Sequence, residues 1–315
     1  MLIRADALCV PLKTNSVDLV VTSPPYFNIR KYKDNGEDLL GQIGLEDSIH
    51  EYLESLWAVT EECIRILKPN GNLFVNMGDK YINKSLAGLP WRYANGCVDS
   101  LGLLLRSEIV WSKTNPMPEP VSDRVKRSHE SWFHLSLQKD HYANMDDIRE
   151  EYAEDTARRY SLGFRSDLKD ERLSTRVDLS GKYSTNPLGK IPGSVWEIPT
   201  ESLHIPKEID AKHYAAFPSE FPRRIILGWS PPGGVVFDPF VGTGTTVLSA
   251  QQTGRTGIGS DLSRDYLSIA GWRTGLILLT PQRGRRSATQ VVAGPDSLIY
   301  LYYCIALHPA SKSLE

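Results

Sequence analysis

Val235-Val236-Phe237-Asp238-Pro239-Phe240-Val241-Gly242-Thr243-Gly244-Thr245-Thr246 is the stretch that decides the fold. An apolar strand leads into an acid, then into two glycines two residues apart, then into a helix. Glycines belong where a turn is tight and a ligand must come close to the backbone. The free amides at a helix start favour an anionic group. In a dinucleotide site a third glycine would complete G-x-G-x-x-G, but Val247 stands at that position. The loop therefore suits a ligand with a carboxylate and no phosphate, which S-adenosyl-L-methionine is. Asp238 can pair with its amino group, and Gly242 and Gly244 let its methionine part lie against the loop.

Outward from this loop, strand and helix alternate. Residues 257–260 form the next expected strand, ending at Asp261, whose carboxylate can accept from both hydroxyls of a ribose. Residues 245–252 and 263–272 are expected helices, and 218–229 an earlier one that starts at a proline. Towards the other end, residues 17–22 are a Val-rich run bounded by Asn15-Ser16 and Pro24-Pro25, the pattern of a buried parallel strand. Ser48 with Glu51 makes a capping-box signature. Ile49, Leu53, Leu56, Trp57, Ile64 and Leu67 then repeat near helical spacing until Pro69-Asn70-Gly71. Residues 73–75, 108–111 and 132–137 are further strand candidates. The whole reads as an α/β chain with a Rossmann-like, mostly parallel sheet flanked by helices.

The bulk numbers bound the function. A chain of 315 residues with 41% hydrophobic and 23% charged residues can bury a sizeable core. A net charge of −2 gives no global attraction to nucleic acid, so such contact must come from local basic patches. Cys9, Cys63, Cys97 and Cys304 make no CxxC pair, which fits a reducing cytosol and argues against a zinc ribbon. No metal is expected. The start carries Arg4 and Asp6 and has no signal-peptide pattern, and no apolar run is long enough for a membrane span.

Val20-Val21-Thr22-Ser23-Pro24-Pro25-Tyr26 is the second informative string. Pro-Pro-Tyr alone also fits a polyproline ligand. Here it follows a buried strand, at the carboxyl edge where open α/β sheets bind ligands. An exocyclic amine of cytosine or adenine is a poor nucleophile, because its lone pair is delocalised into the ring. Two acceptors, Ser23 Oγ and the Pro24 carbonyl, would localise that pair. Pro24 and Pro25 stiffen the turn, and Tyr26 offers a face for stacking on an extruded base.

These two strings, in this order, resemble the site-specific DNA amino-methyltransferases of bacteria and phages in their beta-group arrangement, where the catalytic half precedes the recognition region and the cofactor loop comes late. Residues 22–26 are similar to the catalytic motif and 237–245 to the cofactor motif. Residues 213–218, with Phe217, look like the family's segment upstream of that loop, and 194–200 like the return from the recognition region. The resemblance implies Ser23, Pro24, Pro25 and Tyr26 as catalytic residues. It implies Asp6, Phe217, Asp238, Phe240, Gly242, Thr243, Gly244, Thr245 and Asp261 around S-adenosyl-L-methionine. Asp6 matches an acid that meets the adenine, and Asp261 the ribose acid. Family members with Ser at position 23 usually modify cytosine N4 and those with Asp adenine N6, so cytosine is favoured and adenine is the alternative. A catalytically inactive DNA-binding module is the alternative of a different class.

Between residues 113 and 201 the strand–helix rhythm fades. Residues 140–155 are acidic, with Arg149 the one base, and 156–190 are basic, with Tyr160, Phe164 and Tyr183 interleaved. The expected organisation is a catalytic half over 1–112, a target-recognition insertion over 113–201, a cofactor half over 202–272 and a tail of unassigned role over 273–315. Double-stranded DNA is the expected partner, with Arg30, Lys31, Lys33, Lys113, Arg124, Lys126 and Arg127 as candidate contacts. A cognate restriction endonuclease would be a partner in a type of pairing this family forms. Monomer and homodimer both stay open, and the expected location is the bacterial cytoplasm or, for a phage protein, that of the host.

Overall fold

The computed structural model describes residues 1–34, 36–161, 186–203, 217–276 and 278–279, with 33, 157, 159–161, 278 and 279 described by their backbone alone. The strands and helices along the chain are β1 (Leu2–Arg4), β2 (Val17–Thr22), α1 (Ile49–Ile66), β3 (Leu67–Met77), α2 (Leu89–Asp99), β4 (Leu104–Ser112), β5 (His129–Ser136), α3 (Glu154–Ser161), β6 (Val195–Glu197), α4 (Glu220–Trp229), β7 (Val235–Asp238), α5 (Thr245–Gln252), β8 (Thr256–Asp261), α6 (Arg264–Thr274) and β9 (Leu278–Leu279). Two short hairpins, Lys33–Asp34 with Glu37–Asp38 and Tyr81–Ile82 with Ser85–Leu86, stand apart from the main sheet. Among the described residues that sheet has nine strands in the order β6-β4-β5-β3-β2-β7-β8-β1-β9. Only β5 runs antiparallel to its neighbours, β3 and β4.

The two halves of the chain meet at the centre. β7 pairs in parallel with β2, Val236 opposite Leu19 and Phe237 opposite Val20. Parallel neighbours end on the same edge, so the turn after Thr22 and the turn after Asp238 leave the sheet side by side. Asp18 reinforces the junction: its carboxylate accepts from the Val235 amide and from Lys68 Nζ, both at 2.8 Å.

From Leu19 on, alternation along β2 sends side chains to both faces, while Val17, before the register shift, sides with Val20. Val17 and Val20 join Tyr52, Leu56 and Tyr93 under α1 and α2. Leu19 and Val21 join Phe74, Trp132, Phe221 and Trp229 under α4. The rings of Trp132 and Phe221 stack at 5.3 Å. A third, smaller cluster joins Leu2, Val241, Val247, Leu267 and Ala270 between β1, α5 and α6.

Local signals set the helix starts. Ser48 Oγ accepts from the Glu51 amide at 3.2 Å and the Glu51 carboxylate accepts from the Ser48 amide at 3.1 Å, a complete capping box. The expected end of α1 at Pro69-Asn70-Gly71 is corrected: the helix stops at Ile66 and Leu67 already pairs with Val17. Leu19 next pairs with Asn72, so 68–71 bulge out of the ladder and take the proline with them. Residues 129–136 and 195–197, within the expected insertion, are strands of the central sheet. The aromatic, basic part of that stretch at 162–185, most of 213–218, and the tail from 280 on lie outside the described residues, as does the side chain of Tyr160. Among the described residues no helix is long and apolar enough to cross a membrane.

Candidate active site

Side chains tie the two turns together: Thr22 Oγ1 donates to Asp238 Oδ1 at 2.7 Å, and Thr246 Oγ1 to the Val21 carbonyl at 3.3 Å. Both line a single cavity of about 1140 Å³. From the first turn come Ser23, Pro24, Pro25 and Tyr26; from the second, Phe240, Gly242, Thr243 and Thr245; Asp6, Phe217 and Asp261 complete the expected set at its wall.

Asp238 and Gly244 stand elsewhere. Asp238 is only 1% exposed and does not line the cavity. Its Oδ1 also accepts from the Phe240 amide at 3.0 Å, and its Oδ2 accepts from Thr246 Oγ1 at 2.8 Å. The carboxylate thus braces the floor of the loop from beneath. Burial pushes it up to about 6, against the hydrogen bonds that favour its charge. Gly244 has φ +83°, and a Cβ there would meet Ala270 of α6 at 3.1 Å. It permits helix packing, whereas Gly242, with φ +47° and no atom nearer than the Phe240 carbonyl at 3.9 Å, opens onto the cavity.

The Asp261 carboxylate accepts from the amides of Gly242 at 3.0 Å and Ser263 at 2.9 Å. Burial pushes it too up to about 6. On the other side of the loop Arg273 donates to Thr245 Oγ1 at 2.9 Å and to Thr243 Oγ1 and carbonyl at 3.1 Å. Asp34, in the long loop after Tyr26, accepts from Arg4 Nη2 at 2.8 Å and from the Arg264 amide at 2.7 Å, which straps that loop across the cofactor half.

The first turn is held by residues its own sequence does not announce. Tyr52 Oη donates to the Pro25 carbonyl at 2.8 Å. Tyr26 Oη donates to Glu130 Oε2 at 2.6 Å, and its ring fills the space a Cβ at Gly78 would need. Asn76 Nδ2 reaches Glu130 Oε2 at 2.9 Å, Tyr26 Oη at 3.0 Å and Ser23 Oγ at 3.4 Å. Lys113 Nζ donates to Glu130 Oε1 at 2.5 Å. Burial would push Glu130 up, but the Lys113 ammonium and the hydrogen bonds outweigh it and hold the carboxyl below its usual value. Burial and the Glu130 charge push the Tyr26 hydroxyl well above its usual value. Asn76 and Glu130 sit on neighbouring antiparallel strands, a closeness that no spacing along the chain reveals.

The expected DNA contacts divide. Arg30, Lys113, Arg124 and Arg127 line the cavity. Arg124 is already engaged by Glu119 through both carboxylate oxygens and lies over the Tyr81 ring, 3.6 Å from its centroid. Lys126 is exposed, Lys31 pairs with Asp38 at 2.6 Å, and the side chain of Lys33 lies outside the described residues. Lys113 turns inward to Glu130.

A family model described as DNA methylase matches residues 17–271. The type II methyltransferase M.Cfr9I of Citrobacter freundii is 34% identical over 300 residues, covering 85% of each chain. Among solved structures, the cytosine-N4-specific PvuII DNA methyltransferase superposes with a TM-score of 0.63 at 20% identity, over 86% of this chain and 85% of that one. The complex of M1.HpyAVI with SAM superposes with a TM-score of 0.52 at 18% identity, over 88% of this chain and 99% of that one.

Proposed function

The chain belongs to the N6/N4 DNA methylase family, and on that premise we propose that it transfers a methyl group from S-adenosyl-L-methionine to the exocyclic N4 amino group of cytosine in double-stranded DNA. One observation carries the reading: the Ser23–Tyr26 turn and the Gly242 loop wall the same cavity.

The cofactor supplies an electrophilic methyl group on a cationic sulfonium. The donor and acceptor set suits it. Asp261 offers a carboxylate to the ribose hydroxyls and Asp6 one to the adenine amino group, Phe240 and Phe217 offer apolar faces, and Gly242 leaves its backbone open for close approach. Thr243 and Thr245 are steadied by Arg273. Asp238 acts from below, by fixing the loop's course.

The target amine lies inside the duplex and must rotate out, at a cost of a few kcal/mol. Ser23 Oγ and the Pro24 carbonyl then accept its two hydrogens and aim its lone pair. Tyr26 limits how the base can lie. No side chain need remove a proton first, because the nitrogen becomes acidic only once the methyl group is bound. A serine at position 23 favours cytosine over adenine. Arg30, Arg127 and Lys126 take phosphates near the mouth, and sequence is read by the stretch between β5 and β6. The protein acts in the bacterial cytoplasm, with a cognate restriction endonuclease as its counterpart.

The test is to sequence DNA from cells expressing the protein with a chemistry that separates N4-methylcytosine from N6-methyladenine. The expected result is N4-methylcytosine at one short recognition sequence. N6-methyladenine there would overturn the choice of base, and unmodified DNA the whole reading.

A further inference from the structure

The ion pair of Lys113 and Glu130 is expensive to bury, and among the described residues its hydrogen bonds go to Tyr26 and Asn76 and not to the cofactor loop. Glu130 is 9% exposed, and its Oε2 takes two hydrogen bonds, from Tyr26 Oη and from Asn76 Nδ2. A carboxylate can only accept. The Tyr26 hydroxyl is therefore bound to donate towards Glu130, which leaves its oxygen to accept from Asn76. The Asn76 amide is bound to turn its nitrogen towards Ser23 and Tyr26, with one N–H on Glu130 Oε2 and the other shared between Tyr26 Oη at 3.0 Å and Ser23 Oγ at 3.4 Å. Asn76 Oδ1 is then left buried without a hydrogen-bond partner among the described residues. An orphaned acceptor is itself costly, yet reversing the amide would set oxygen against the Glu130 carboxylate. The carboxylate decides the orientation even at that cost.

We propose that Glu130, paired with Lys113, is the positioning residue of the target-base pocket. It sets the direction of the hydrogen bonds through Tyr26 and Asn76, so that Ser23 receives a donor from behind and keeps a lone pair towards the incoming amine. The inference rests on the amino-methyl transfer reading and deepens it. Charge, and not shape, is what Glu130 supplies, and this separates the role from simple packing. Glu130→Gln keeps the shape but brings its own donors towards two donors, whereas Glu130→Asp shortens the side chain and keeps the acceptor.

The experiment measures single-turnover methylation of duplex DNA by the full chain at saturating cofactor and DNA, with calorimetric binding of S-adenosyl-L-methionine as the check on folding. The expected results are at least a tenfold lower rate for Glu130→Gln with cofactor affinity unchanged, and a rate for Glu130→Asp above that of Glu130→Gln. Tyr26→Phe should lower the rate as well, and the double variant Tyr26→Phe/Glu130→Gln should fall well short of the product of the two losses, since both act on one network. A wild-type rate in Glu130→Gln, or Gln outperforming Asp, overturns the proposal. So do losses that multiply. If Glu130→Gln no longer binds cofactor, Lys113→Met is the deciding variant, with a tenfold loss expected and an unchanged rate overturning it. Absence of methylation by the wild-type chain would instead remove the amino-methyl transfer reading beneath it.

Discussion

The two turns that share the cavity are built in opposite ways. The cofactor loop is a local construction: Asp238, Phe240, Gly242, Thr243, Thr245, Asp261 and Arg273 all fall between β7 and the end of α6 and bond chiefly to one another. The catalytic turn is a long-range one. Ser23–Tyr26 is held by Tyr52, Asn76, Lys113 and Glu130, drawn from α1, β3 and the segments around β4 and β5. Thr22 Oγ1 to Asp238 at 2.7 Å and Thr246 Oγ1 to the Val21 carbonyl at 3.3 Å join the two. A loop that must fit an invariant small molecule can be specified by a short stretch of chain. On the proposed reading, a pocket that grips a base against the pull of its duplex leans on the whole sheet.

The sharpest way to break this contrast is at Ser23. Ser23→Ala removes one pre-placed acceptor, so the rate of methylation should fall by about 100-fold. Cofactor affinity, owned by the other turn, should not change in calorimetry. A matching loss of cofactor binding would show that the turns do not divide the work.

Asp238 tests the join itself. Burial holds it at about 6, above the ~4 of an unfolded chain. The folded state binds this proton more tightly, so its contribution favours folding below about pH 4 and is lost as pH rises through about 6. In Asp238→Asn that slope should vanish. Denaturation of the free protein at pH 4.5 and 7 should show the stability gap between variant and wild type shifting in the variant's favour by about 2 kcal/mol. A gap independent of pH would contradict it.

The two glycines sharpen the picture of the cofactor loop. Gly244→Ala meets both a left-handed backbone and Ala270, and should cost about 2 kcal/mol of stability. Gly242→Ala meets only the backbone penalty, about 1 kcal/mol, but intrudes on the cavity and should weaken cofactor binding more. Equal effects on both measurements would erase the distinction.

At the mouth, Lys126→Ala should weaken duplex binding evenly across sequences and lower the salt dependence by about one charge. Arg124, committed to Glu119, should change that slope less.

The contrast also explains what the sequence could tell. β2, the capped start of α1, and the β7–α5–β8–α6 run follow from local apolar runs, a capping box and glycines, and each is found where these signals place it. Residues 129–131 did not read as strand, because His129, Glu130 and Ser131 are polar; Glu130 is polar because that end of β5 faces the pocket. Asp238 announced an acid at the loop but not that both its oxygens are spoken for by Thr22, Thr246 and Phe240. Asn76 and Glu130 are neighbours only through an antiparallel pairing that no motif carries.

The most direct measurement is transfer of a tritiated methyl group from S-adenosyl-L-methionine to duplex DNA, with the labelled nucleoside identified after digestion. For the wild type the label should lie on cytosine N4. For Ser23→Ala/Pro24→Ala, which removes the Ser23 acceptor and loosens the turn, transfer should be lower by at least about 100-fold while the cofactor still binds. Transfer at the wild-type rate in the double variant, or label on a ring carbon, would contradict a shared cavity in which the serine–proline turn presents an amine to the methyl group.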